Sequence, residues 1–286
     1  MPSLSDIRRR RNSVQNTRKI TRAMKLVASA KLKRAQDAAT AAQPYQQTLQ
    51  RVLERVVAAA GDVQHPLLAT PDNDRDVLVI FIGPDRGLCG GFNAQLIKNT
   101  AAEVAQLKGQ GKTVRMNIYG RKGLGFFANQ DVDIADSNIN LSPQMFDGLA
   151  RELTPELIAQ FSRGEFGAAY VAYNRFDSVM TQTPVFEQIL PMKLDDVDDG
   201  PSGDYLYEPD GTQILSDLLP LSLQTRIFQS FLDTEAGEQA ARMQAMDNAT
   251  RNAGEVIDKL TLMYNRARQA AITKELIEII SGAQAL

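Results

Sequence analysis

Two long stretches at the chain ends carry apolar residues at helical spacing, and the stretch between them carries the pattern of buried strands. From Ser3 to Ala58 there is no glycine and one proline, Pro44. Alanine, leucine, lysine, arginine and glutamine dominate, all good helix formers. Ile20, Met24 and Val27, then Leu49, Val52, Leu53 and Val56, recur as one apolar stripe. The pattern predicts a helix of roughly 55 residues, about 80 Å long. Pro44 is a candidate kink, because proline removes a backbone donor and crowds the preceding turn. The segment from Asp210 to Gly282 reads the same way. Met246, Ala249, Ala253, Val256, Leu260, Met263, Ala267 and Ala270 alternate spacings of three and four, a heptad seam. Half of these are alanine, so two backbones can approach closely. Pro220 is assigned to the start of this helix, where a missing N–H costs little. Gly237 and Gly254 each weaken it by roughly 1 kcal/mol relative to alanine. Neither helix can bury its stripe alone, so the two are expected to pair as an antiparallel coiled coil. The plainer alternative is two helices of an ordinary bundle.

The middle, Arg75 to Lys193, alternates strands with helices. Asp76 to Ile82 is a continuous apolar run, as expected of a strand buried on both faces. A helical pattern follows from Phe92 to Leu107. Thr113 to Tyr119 reads as a second strand, Arg121 to Phe127 as a short helix, and Pro143 to Phe161 as a longer one. Ala168 to Tyr173 and Val185 to Leu190 read as third and fourth strands. This alternation implies a mostly parallel sheet covered on both sides. Asp195 to Asp204 is acidic and turn-rich, an exposed linker without the ligand pattern of a calcium loop.

Composition narrows the classes. Of 286 residues, 43% are hydrophobic and 23% charged, which argues against disorder. No apolar run approaches the ~18 residues of a membrane-spanning helix. The N-terminus has no apolar signal core, so secretion is not expected. Cys89 is the one cysteine, which fits a reducing compartment and excludes an intrachain disulfide. The net charge of −2 conceals an asymmetry: residues 1–58 hold 13 Lys/Arg against 3 Asp/Glu. A basic segment on an acidic body points to an acidic partner.

Three stretches carry candidate chemistry. Asp85-Arg86-Gly87-Leu88-Cys89-Gly90-Gly91-Phe92-Asn93 lies between a strand and a helix, where a phosphate cradle could form. It lacks both the dinucleotide glycine spacing and the P-loop lysine, so a tight turn is the better reading. Cys89 would need a base to act as a nucleophile, and the only histidine is His65. One histidine and one cysteine make no zinc site. The basic first helix could meet nucleic acid, but it has no aromatic residue before Tyr45 on which a base could stack. The third stretch, Glu235 to Met243 and then Tyr264 to Leu276, shows by periodicity only a long helix.

These residues are more specific than their periodicity. Ser13-Val14-Gln15-Asn16-Thr17-Arg18-Lys19-Ile20-Thr21-Arg22-Ala23-Met24, the Asp85–Asn93 block, and the stretch from Glu238 to Ala285 resemble the gamma subunit of rotary, F-type ATP synthases. The C-terminal signature stands as Ile272-Thr273-x-Glu275-x-x-Glu278-x-x-x-Gly282-Ala283, and Asp204-Tyr205-Leu206-Tyr207-Glu208-Pro209 is a shorter match. The blocks occur in family order over nearly the whole chain.

The resemblance implies an α/β fold class: a long antiparallel coiled coil of the N- and C-terminal helices plus a Rossmann-like α/β domain with a mostly parallel sheet. The expected division is residues 1–60 as a first shaft helix, 75–193 as the α/β domain, 194–209 as an acidic linker, and 210–286 as a second shaft helix. It implies a non-catalytic rotor without cofactor or metal, and without catalytic residues of its own. The implied partners are the alternating ring of catalytic and non-catalytic subunits, a small companion (epsilon) subunit and a membrane rotor ring, with no nucleic acid. By resemblance, Met24, Arg242, Gln269 and Thr273 meet the catalytic subunits, and Tyr205, Tyr207 and Glu208 meet the membrane ring. The implied place is peripheral, on the cytoplasmic face of a bacterial inner membrane. The redox-cysteine insertion of plastid members is missing, so thiol switching is not expected; with no leader ahead of the family block, an organelle precursor is disfavoured. Two readings compete: a nucleic-acid binder, whose affinity would fall steeply with salt, and a small nucleotide-dependent enzyme, which would bind nucleotide by itself.

Overall fold

A computed structural model describes residues 3–60, 65–69, 73–193 and 211–284. The elements in chain order are α1 (Leu4–Ala60), β1 (Asp76–Ile82), α2 (Phe92–Gly109), β2 (Thr113–Tyr119), α3 (Arg121–Phe127), β3 (Asp133–Asn138), α4 (Phe146–Ser162, entered by a 3-10 turn at Pro143–Met145), β4 (Ala168–Phe176), β5 (Gln182–Leu190) and α5 (Gly211–Gln284). They form two compact units. One comprises residues 1–29 with 242–286, the other residues 30–241. Both α1 and α5 contribute to each unit.

The unit of residues 30–241 is built on a five-stranded sheet of order β3-β2-β1-β4-β5. β1 pairs in parallel with β2 and β4, and β2 with β3; β5 runs antiparallel to β4. This is a doubly wound order with a reversed edge strand. Successive side chains of β1 point to opposite faces, and both faces are covered. Leu78, Ile80 and Ile82 pack with α4 (Ala150, Leu153, Leu157), with α1 (Leu53, Val56) and with α5 (Leu219, Leu223, Ile227). Val77, Val79 and Phe81 pack with α2 (Leu96, Val104) and α3 (Phe127). Gly120 enters α3 at φ 111, and a Cβ there would lie 2.0 Å from the Gly83 carbonyl oxygen. Only glycine lets the ends of β1 and β2 come this close.

The expected mostly parallel sheet and the two long terminal helices are present, with three corrections. β3 was not expected. Its sequence, Asp-Ile-Ala-Asp-Ser-Asn, is polar because it is an edge strand with most of its side chains in solvent. β4 and β5 extend beyond their expected limits, to Phe176 and back to Gln182. Pro220 lies inside α5, not at its start, which is at Gly211. The proline penalty in a helix interior, ~3 kcal/mol, is offset because Leu215, Leu219 and Leu223 on the same helix are fully buried. Each such side chain contributes about 1.5–3 kcal/mol. α1 likewise runs unbroken through Pro44. The acidic stretch Asp195–Asp204 lies outside the described residues.

Candidate functional site

The unit of residues 1–29 and 242–286 consists of one end of α1 and one end of α5. α1 begins with a cap: the Ser3 hydroxyl donates to the Asp6 carboxylate at 2.8 Å and accepts the Asp6 N–H at 3.1 Å. The Ser3 bond, followed by the charge of Arg9, holds the Asp6 carboxyl below the usual range. Contacts between the helices run in opposite chain directions. Lys25 Nζ meets Asp247 Oδ1 at 2.6 Å, and the Thr21 and Thr250 hydroxyls share a hydrogen bond of 2.7 Å. Arg18 crosses Gly254, where a Cβ would stand 3.8 Å from the guanidinium carbon. Arg11 lies over the Tyr264 ring, 5.2 Å from its centroid. The helices are therefore antiparallel, as expected.

At part of its positions the seam is one residue out of the expected phase. Ile7, Thr21 and Ala28 of α1 are buried, as are Met246, Ala253 and Ile257 of α5. Of the stripe assigned to the seam from sequence, Met24 is half-buried, but Ile20 is 60% exposed and Val27 58%. Val256 and Met263 also face solvent, whereas Met246 and Ala253 were assigned correctly. The physical reason lies in the period-seven set Arg11, Arg18 and Lys25. These cations run along the line where the helices meet: Arg11 lies over Tyr264, Arg18 passes Gly254, and Lys25 pairs with Asp247. A reading by polarity alone rejects those positions and shifts to the adjacent apolar set.

The shift exposes the functional feature. Each helix carries a second apolar stripe that its mate leaves uncovered: Ile20, Leu26 and Val27 on α1, and Val256, Leu262 and Met263 on α5. With Lys25 against Asp247 and Thr21 against Thr250, α1 runs out opposite the late 260s of α5. Beyond that, Ile272, Leu276, Ile277, Ile279 and Ile280 are all exposed. The unit also carries 14 Lys/Arg against 6 Asp/Glu. An uncovered apolar surface rimmed by charge marks a site of association with other proteins.

Met24 and Arg242 are half-buried, and Gln269 and Thr273 are exposed. The Thr273 hydroxyl donates to the Gln269 carbonyl at 2.9 Å, so these two share a face one turn apart. Arg242 lies about 40 Å back along α5 from Gln269 at the helical rise. These residues make no single pocket; they are strung along a surface. Tyr205, Tyr207 and Glu208 lie outside the described residues.

The glycine-rich turn has a different role from a phosphate cradle. Asp85 organises it, accepting the Arg121 N–H at 2.8 Å and the Leu141 N–H at 2.7 Å. Cys89 is buried, and His65 Nδ1 accepts the N–H of Leu67 at 3.2 Å. In doubly wound sheets, nucleotides bind at the carboxyl edge where strand order reverses. Here that edge, between β1 and β4, is filled by α5. The Thr234 hydroxyl donates to the Ile82 carbonyl at 3.5 Å. Phe231 stacks on Phe146 at 5.2 Å and meets Tyr119 edge-on at 5.3 Å. Gly237 lies so close to Phe92 that a Cβ would come within 2.8 Å of its ring. Among the described residues, no group of three His, Cys, Asp or Glu is placed to hold a metal ion. No described helix is long and apolar enough to cross a membrane.

Comparison with known proteins decides the family. The family model described as ATP synthase matches residues 3–286. The ATP synthase gamma chain of Paracoccus denitrificans is 47% identical over the full length of both chains. That of Pelotomaculum thermopropionicum is 42% identical, again over the full length of both. The chain belongs to the ATP synthase gamma-chain family. Solved structures agree on the fold. A rotor chain of the Euglena gracilis mitochondrial ATP synthase matches with a TM-score of 0.62 and 17% identity, covering 94% of this chain and 98% of that one. A chain of the same enzyme's OSCP/F1/c-ring structure gives 0.64 at 19% identity, covering 98% and 94%. For a gamma chain, the extended apolar and basic surface is the candidate site, and sequence reasoning had hidden half of it inside the seam. The signal that could have found it is the width of the pattern: α1 carries apolar residues at 20, 26 and 27 as well as at 28 and 32.

Proposed function

We propose that this chain is the non-catalytic central rotor of a bacterial proton-translocating ATP synthase. It couples rotation of a membrane ring to affinity changes at nucleotide sites carried by other subunits. The observation that carries this reading is the pair of apolar stripes left uncovered on α1 and α5 in a unit rich in Arg and Lys. Such a surface fits a sleeve of surrounding subunits with apolar and acidic linings. Met24, Arg242, Gln269 and Thr273 contact the catalytic subunits, and Tyr205, Tyr207 and Glu208 face the membrane ring. A small companion subunit completes the rotor. The chain takes no cofactor and does not bind nucleic acid. Its place is peripheral, on the cytoplasmic face of the inner membrane.

Rotation can alter a site only through contacts that differ between its conformations. The two helices supply that difference, since α1 within this unit is strongly basic and α5 carries both signs. Exposed charge contacts contribute roughly 0–1 kcal/mol each, so the coupling is spread over many. The test is reconstitution. The chain alone should show negligible ATP turnover. With the ring subunits and the membrane sector it should restore proton-coupled turnover. Normal coupling in a complex lacking this chain would refute the proposal.

A further inference from the structure

Where α5 crosses the carboxyl edge of the sheet, one buried carboxylate has no cation of its own. Asp233 is 7% exposed. It accepts the Gln229 amide N–H at 2.8 Å and the backbone N–H of Phe176 at the end of β4. The charges facing it are committed elsewhere. From β4, Arg175 pairs with Asp177 at 2.8 Å. Arg226 of α5 pairs with Glu187 of β5 at 3.2 Å, both close to the Tyr173 ring of β4. The Gln229 Oε1 atom, on the same amide that donates to Asp233, is buried without a partner.

A neutral carboxylic acid and a primary amide form a cyclic pair with two hydrogen bonds: the amide N–H donates to the acid carbonyl, and the acid O–H donates to the amide oxygen. The first bond is present between Gln229 and Asp233. The second needs a proton on Asp233 and would satisfy the one buried acceptor left unpaired there. We propose that Asp233 is a proton-operated latch: as a neutral acid, its O–H paired back to Gln229 on the same helix, it stays buried where α5 meets the end of β4, and on ionisation the charge, which burial opposes, loosens that seat. Consistently, burial, before any neighbouring charge, pushes the Asp233 carboxyl up to about 6.

Two measurements on the full-length chain decide it. Carbon-13 NMR of aspartate-labelled protein should show the Asp233 carboxyl titrating near pH 6, and a midpoint at the ordinary value near 3.8 would overturn the proposal. Amide hydrogen exchange across residues 229–236, corrected for the intrinsic effect of pH, should lose about tenfold protection or more between acid and neutral pH. Asp233→Asn pairs amide to amide at every pH and should abolish that loss. Protection that does not change with pH in the wild type, or that falls equally in Asp233→Asn, would also overturn it. If the Asn variant does not fold, the wild-type titration still decides.

Discussion

In the unit of residues 30–241, α5 turns Leu215, Leu219, Leu223, Ile227 and Phe231 toward a core that closes over them. In the other unit the same helix buries Met246, Ala253 and Ile257, and leaves Val256, Leu262 and Met263 in solvent. The first region satisfies its apolar surface internally, with aromatic rings and fully buried leucines. The second is a thinner seam, joined across by contacts such as the Lys25–Asp247 ion pair, the Thr21–Thr250 hydroxyl pair and Arg11 over Tyr264. A helix that packs with different chemistry along its length does two jobs. One part is closed into a core; the other leaves apolar side chains in solvent.

The largest test of this contrast is Phe231→Ala. It removes a ring packed against both Phe146 and Tyr119 and should cost about 3–5 kcal/mol in urea unfolding. A loss below about 1 kcal/mol, the level of a surface change, would show that the closed core is not where stability resides. The next effect is on pH dependence. The folded value for Asp233, about 6, lies above its unfolded value near 3.8. Its contribution is therefore fully present below pH 3.8 and is lost as pH rises through 6, a loss of about 3 kcal/mol for two pKa units. Unfolding free energies of the wild type and Asp233→Asn, compared across that window, should diverge accordingly. Asp247 behaves oppositely. Its hydrogen bond to Lys25, then the charge of Lys25, lowers its pKa, so its small contribution is lost as pH falls.

The difference in legibility between the regions has a physical origin. β1 was readable because a strand buried on both faces is an almost unbroken apolar run. β3 was not, since an edge strand can be polar throughout. The long helices were readable from length and composition, but their mutual face was not. A heptad pattern can be drawn in neighbouring phases, and here Arg11, Arg18 and Lys25 occupy positions a hydrophobicity reading leaves empty. Pro220 misled for a related reason: buried leucines on either side outweigh its local preference. The latch is invisible in sequence, because Gln229 and Asp233 become a buried pair only once α5 lies on the sheet.

Smaller effects sharpen the comparison within the seam. Ala253→Leu overfills a buried position of the helix pair and should destabilise by about 1–3 kcal/mol, impairing proton-driven synthesis before the fold is lost. Unchanged synthesis would show the seam assignment to be wrong. Gly254→Ala should stabilise by about 0.4–1 kcal/mol, because its Cβ meets Arg18 only at ordinary contact distance. A lowered melting temperature would mean that Arg18 needs the full space.

The most direct measurement is made on the outward stripe itself. Val27→Asp with Leu262→Asp alters two exposed apolar residues on different helices. Surface changes of this kind shift stability by about 0.5 kcal/mol or less each, so the melting temperature of the chain should hold. Affinity for the ring subunits should fall at least about tenfold, equivalent to 1.4 kcal/mol, and proton-coupled ATP turnover should fall with it. Undiminished assembly and coupling, with the chain equally stable, would contradict the claim that this uncovered surface is what the other subunits grip.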